Sequence, residues 1–136
     1  MNEREEGSVL QLDFDKLARA AACGGLVPVV VQDADSSEVL LLAYTNALAL
    51  EEALRHQRLI LWSSTRNELW EKGRTSGETF DLVEVRVNCE QNSLLYKVRQ
   101  RRGGICHTRN RSGEPRRTCF YRRLNPSTRE LEHLDP

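Results

Sequence analysis

A mixed fold of short helices and antiparallel strands, folded as one domain, is predicted by three observations. Two segments carry the apolar spacing of a single helical face, two pairs of β-rich runs are joined by short polar links, and 136 residues suit one hydrophobic core. Hydrophobic content of 39% and charged content of 29% fit a soluble globular chain with an ordinary interior.

The first helix follows Asp13, a residue that accepts from orphan amides at a helix start. Phe14, Leu17, Ala18 and Ala21 fall on one face, and Gly24 and Gly25 end the element. Residues 27–32 and 38–44 are β-rich runs separated by the polar turn Asp33, Ala34, Asp35, Ser36 and Ser37, which makes a hairpin. Asp33 and Asp35 are metal-ligand types, but turn chemistry accounts for them more simply. The second strand is apolar from Val39 to Ala43, so both of its faces are expected to be covered. Asn46 caps a second helix over residues 47–57. Leu50, Ala53 and Leu54 form its stripe, Glu51 and Arg55 pair at i,i+4, and His56 lies near the favourable C-terminal end.

A short strand over residues 59–62 leads into residues 63–77, which lack a clean period. This stretch is long for a plain connection and rich in hydroxyls, charges and tryptophan. It reads either as a cradle for phosphate and ribose or as an exposed loop whose tryptophans pack for stability. Residues 80–87 and 94–100 alternate as two strands of a second hairpin, with Val83, Val85 and Val87 on one face and Cys89 at the tip. Cys119 opens a last short strand, residues 119–124. Residues 1–12 read as a loose leader and 125–136 as a polar irregular tail, the two flexible ends of the single domain 1–136.

Lys and Arg together equal Asp and Glu, at 20 each, so no global field draws the chain to nucleic acid or membrane. The distribution is uneven. Between residues 97 and 123, nine arginines and one lysine stand against a single acid, Glu114. This patch reads as an anion site, with phosphate the natural occupant, or as a solvated basic surface. It lacks the interleaved aromatics of a single-strand platform, which argues against nucleic acid. No apolar run approaches the roughly 20 residues of a membrane span, so a cytoplasmic location is expected, where cysteines stay reduced or metal-bound.

Three of the four cysteines, Cys89, Cys106 and Cys119, lie in a polar, Gly-punctuated stretch, with His107 directly after Cys106. Thiols and imidazole are the soft donors that select zinc. The separations are 17 and 13 positions with no C-x-x-C knuckle, so any ligand set must be gathered by tertiary or quaternary structure. Free cysteines are also common as small core hydrophobes, the reading preferred for Cys23. His107 suits either a fourth ligand or a general base beside the metal.

The residues Trp62-Ser63, Glu68-Leu69-Trp70, Lys72-Gly73, Thr75-Ser76-Gly77, Cys89, Cys106-His107-Thr108 and Cys119-Phe120-Tyr121-Arg122 together resemble the phosphoribosyl-AMP cyclohydrolase family of histidine biosynthesis. The resemblance covers roughly residues 25–123. It implies a small α+β domain with an antiparallel sheet and two or three short helices, forming an intertwined homodimer with sites at the interface. It implies a zinc held by Cys89, Cys106 and Cys119 and shared between subunits. The reaction implied is hydrolytic opening of the purine ring of N1-(5-phosphoribosyl)-AMP between N1 and C6, with His107 managing protons. The substrate-binding candidates are Trp62, Ser63, Arg66, Glu68, Trp70, Lys72, Thr75, Ser76, Thr108, Arg111 and Arg116.

Three departures stand beside it. The aspartates that bind magnesium around the first zinc cysteine of the family are replaced here by Asn88, Glu90 and Asn92, a poor set for a hard cation. The last two cysteines lie farther apart, through an extra segment of about residues 109–117 that adds four arginines. Arg109 stands where a glycine is common. These departures motivate the hypothesis that inserted arginines replace magnesium in neutralising phosphate. They also keep open a diverged paralogue acting on another purine-like nucleotide. From a different class, a non-catalytic zinc or nucleotide-binding dimer is the remaining alternative.

Overall fold

The computed structural model describes residues 2–74, 77, 79–101 and 103–136. In chain order the elements are α1 (Glu3–Glu6), α2 (Phe14–Ala22), β1 (Val27–Asp33), β2 (Val39–Thr45), α3 (Ala47–His56), β3 (Ile60–Ser63), β4 (Glu68–Glu71), β5 (Phe80–Val87), β6 (Leu94–Gln100), β7 (Arg122–Leu124) and β8 (Leu131–His133). The fold is α+β. A six-stranded sheet runs β4-β3-β2-β1-β6-β5, and β7-β8 form a separate ribbon.

Local signals set most of these elements. Asp13 accepts from the Lys16 amide at 3.1 Å and starts α2, and Asn46 accepts from the Ala49 amide at 2.9 Å and starts α3. Gln57, in the left-handed region with φ 53°, closes α3. His56 meets Glu52 one turn back, at 3.1 Å. Asp33 folds the β1–β2 turn by accepting from the amides of Asp35 and Ser36.

Pairing across the sheet departs from the sequence reading in several places. β1 pairs antiparallel with β2 but parallel with β6, Val29 facing Leu94 and Val31 facing Tyr96. The sheet is therefore mostly rather than wholly antiparallel. The chain completes one side of β1 with β2, β3 and β4, then crosses to lay the β5–β6 hairpin on the other. β4, inside the stretch read as aperiodic, pairs with β3 from Ile60–Glu71 to Ser63–Glu68. Residues 125–136, read as irregular, contain β8, and the last strand begins at Arg122 rather than at Cys119. A register shift between Leu82 and Glu84 interrupts the alternation of β5 and leaves Val83 exposed; Val85 packs on the core, and Val87 at the strand end is exposed.

The core is built from Val29, Val31, Leu40, Leu59, Leu61, Phe80, Tyr96 and Val98, all essentially excluded from solvent. β2 was expected to be covered on both faces, but Val39 and Leu42 are 44% and 49% exposed. Phe14 and Leu17 of α2 also remain open. No helix of the described residues is long and apolar enough to cross a membrane.

Residues 4–8 and the stretch that follows Cys119 hold each other. Tyr121 donates to the Glu5 carbonyl at 2.9 Å, Arg122 donates to the carbonyls of Arg4 and Gly7, and the Leu131 amide donates to the Ser8 carbonyl. Gly104 is required where this lobe meets the thiol segment. A Cβ there would stand 2.4 Å from the Arg116 carbonyl oxygen, and that same carbonyl accepts from the Cys106 amide at 3.0 Å.

Candidate active site and thiol centre

The centre of the site is a pair of thiols. Cys106 is buried and Cys119 partly so, the latter held against the core by its amide donating to the Leu40 carbonyl at 2.8 Å. Thr108 Oγ1 lies 3.0 Å from Cys106 Sγ. Hydrogen bonding from Cys119, followed by that from Thr108, brings the Cys106 thiol down to about 5 despite its burial. The interaction with Cys106, together with burial, pushes the Cys119 thiol up. Lys72 and Lys16 act on Cys119 in the opposite sense, which brings Lys72 of the hydroxyl-rich stretch within electrostatic reach of the centre.

Cys89 is elsewhere. It is exposed at the β5–β6 tip, just past the Val87–Leu94 pair, and Leu94 faces Val29 near the start of β1. Cys119 is held by Leu40, at the turn that follows the end of β1. The third thiol thus sits at the opposite end of the sheet from the other two. Among the described residues, no three His, Cys, Asp or Glu side chains gather into a metal-holding group. The donors fit zinc by chemistry, as two coupled thiols and a third that is exposed, but one chain brings only two of them together.

His107 projects from this centre with its side chain 78% exposed, and its Nε2 lies 2.5 Å from Glu5 Oε2. Thr108 is buried, its carbonyl accepting from the Arg116 amide. The other candidates are dispersed along β3 and β4. Trp62 Nε1 donates to Asn67, Ser63 Oγ accepts from the Arg66 amide, and Arg66 pairs with Glu68 at 3.3 Å in full solvent. Trp70 packs on the core, which fits the stabilising reading for one tryptophan of that stretch. Thr75 and Ser76 lie outside the described residues. Asn88 accepts from the amides of Asn92 and Ser93 and donates to the Asn92 side chain at 2.6 Å. Two of the three degenerate magnesium positions are thereby engaged in closing the hairpin turn, and Glu90 is exposed beside them.

The inserted arginines do not act alike. Arg116 is 2% exposed and grips Glu6 through two bonds of 2.7 and 2.9 Å, while its Nε donates to the Asp135 carbonyl. It also lies 4.3 Å over the Tyr121 ring, which is stacked on His133 and has Arg122 5.4 Å from its centroid. The Arg116 bond and charge hold the Glu6 carboxyl at about 2, against an ordinary 4.5. Arg116 is therefore an internal anchor, not an open phosphate ligand. Arg117 is paired with Glu38 and Asp33, and Arg109 donates to the Gly113 carbonyl at 2.9 Å. Arg111 is exposed and has no side-chain partner among the described residues. It borders a cleft of about 330 Å³ with Arg109, Asn110 and His133. A larger cleft of about 560 Å³ takes in Arg99, Arg101 and Arg117, each already matched by a carboxylate. Glu5, Glu6 and His133 escaped the sequence reading; the acidic run at residues 3–6, opposite a patch of net charge +9, was the available signal.

The site thus joins a buried thiol, a half-buried thiol and an exposed imidazole in a small α+β domain. Comparison with known proteins narrows this. The family model for phosphoribosyl-AMP cyclohydrolase matches residues 41–121. The chain is 47% identical over 100 residues to a phosphoribosyl-AMP cyclohydrolase of Hyphomonas neptunium, covering 74% of this chain and 71% of that protein. It is 46% identical over 99 residues to the phosphoribosyl-AMP cyclohydrolase of Salinibacter ruber, covering 73% and 72%. It is also 50% identical over 107 residues to the histidine biosynthesis bifunctional protein HisIE of Thermus thermophilus, covering 79% of this chain and about half, 47%, of that longer protein. The chain belongs to the phosphoribosyl-AMP cyclohydrolase family, an enzyme family, as the motifs implied.

Proposed function

We propose that this protein hydrolyses N1-(5-phosphoribosyl)-AMP, opening the purine ring between N1 and C6 in histidine biosynthesis, as a zinc-dependent homodimer. The observation that carries the reading is the Cys106–Cys119 pair with Thr108 and His107 around it, inside the segment matched by the family. Cys106 and Cys119 of one subunit and Cys89 of the other are the zinc donors. The separation of Cys89 from the pair within a chain supports sharing, and the exposed Val39, Leu42, Val83 and Val87 supply apolar surface for a second copy. When bound, zinc supplies an activated water at neutral pH.

The chain's own residues do the rest. The hydrogen bond between the Thr108 hydroxyl and the Cys106 sulfur fixes the direction of that sulfur. His107 moves the proton between water and the leaving nitrogen, a role its exposure permits. Lys72, Arg66 and Arg111 take the two phosphates, with Arg111 the inserted residue best placed for the part assigned to magnesium in the family. Trp62, Ser63 and Glu68 orient base and ribose. A second reading, a diverged paralogue acting on another purine-like nucleotide, is favoured by one observation: Asn88 and Asn92 are spent on each other.

The test is ring opening of N1-(5-phosphoribosyl)-AMP by zinc-loaded protein without magnesium, followed by ultraviolet absorbance. Turnover at an enzyme-like rate supports the leading reading. No turnover by zinc-loaded dimer turns the assignment to the paralogue, and strict dependence on magnesium sinks the arginine replacement.

A further inference from the structure

The segment before residue 9 lies outside the family match, yet it delivers a carboxylate to the site. We infer that Glu5 is a positioning residue for His107, held in place by the Glu6–Arg116 anchor. The inference rests on the proton-transfer role proposed for His107.

The geometry follows from neighbouring residues of one short helix. Glu6 is clamped by the buried Arg116 guanidinium through two bonds, and His133 approaches the same carboxylate at 3.4 Å. Tyr121 holds the Glu5 carbonyl at 2.9 Å. The Glu5 backbone is thus fixed on both sides, and its side chain reaches His107 Nε2 at 2.5 Å. A carboxylate accepts, so Nε2 must carry the hydrogen. Nδ1 is then the ring nitrogen that this contact leaves free. An imidazole that is 78% exposed has no packing to fix its ring, so the carboxylate is what selects orientation and tautomer. An exposed pair of this kind adds little to stability, so its removal reports on catalysis rather than on folding.

The experiment combines kinetics on the zinc-loaded protein with long-range proton–nitrogen correlation spectra of the His107 ring in mildly alkaline buffer. Wild type is expected to show a single Nε2–H tautomer. Glu5→Ala is expected to show a mixture and to lose about tenfold in kcat, with KM changed less than about twofold. Glu5→Gln, whose amide oxygen still accepts from Nε2–H, should retain more kcat than Glu5→Ala. Glu6→Gln loosens the anchor and should lower kcat likewise, and the Glu5→Ala/Glu6→Gln double variant should fall no further than Glu5→Ala. A kcat that is unchanged or raised in Glu5→Ala, or a wild-type tautomer unaffected by it, overturns the inference. Should wild type fail to open phosphoribosyl-AMP at all, the functional reading falls, and the ring spectra alone decide whether Glu5 orients His107.

Discussion

The two ends of the central sheet hold different parts of one chemical set. At the end near the β1–β2 turn, Cys106 and Cys119 are sheltered, and each shifts the other's thiol, Cys106 down and Cys119 up. At the other, Cys89 stands exposed on a hairpin whose asparagines bind only each other and the turn. The first end is a half-built centre and the second a donor without one. A single chain cannot join them across its own sheet, and the difference gives the proposed second copy its chemical purpose.

The largest effects should come from breaking either end. Replacing Cys106 or Cys119 by serine is expected to cost on the order of a thousandfold in turnover, since several kcal/mol of transition-state stabilisation goes with the metal. Cys89→Ser should cost as much despite its exposure, measured as turnover together with bound zinc. A Cys89→Ser protein that keeps its zinc and rate would leave the hairpin tip out of the site.

Next in size is the contrast inside the inserted segment. Arg116→Ala strips a buried guanidinium from Glu6 and Tyr121 and should lower stability by about 3 kcal/mol in urea denaturation. Arg111→Ala, a surface change, should stay within about 0.5 kcal/mol of wild type while raising KM for the phosphorylated substrate about tenfold. Equal effects on stability would erase the distinction between anchor and ligand.

A smaller effect is the acid response of that anchor. The folded-state pKa of Glu6 is depressed from 4.5 to about 2, so its contribution is complete above the ordinary carboxylate range and disappears as pH falls toward 2. Glu6→Gln should therefore melt below wild type near neutral pH, with the gap closing between about pH 4.5 and 2. Asp33, Asp35 and Glu84 are also depressed, but they are present in both proteins and cancel. Parallel curves would mean that the Arg116–Glu6 pair is not what holds the amino-terminal helix.

The sequence disclosed what local chemistry decides. Asp13 and Asn46 announced their helices through capping, and the alternation of residues 94–100 announced β6. What it concealed depends on partners remote in the chain. β4 has four residues and no period of its own, and becomes a strand because β3 lies beside it. β1 and β6 pair in parallel only because a long crossover brings them together. The thiols were legible as a set by type, while their division between two ends of the sheet was not. Arg111 and Arg116 look alike in sequence; only the carboxylate of Glu6, some hundred positions away, separates a buried anchor from an open cation.

The most direct test of a site built from two ends of two chains is to mix Cys89→Ser protein with Cys106→Ser protein, dissociate, reassociate and assay. Each heterodimer then holds one intact set of three thiols and one set reduced to Cys119 alone. With random pairing, about a quarter of wild-type turnover and zinc content should return from two inactive proteins. If the mixture stays as inactive as its components while heterodimers form, each site draws its thiols from a single chain, and the shared centre is wrong.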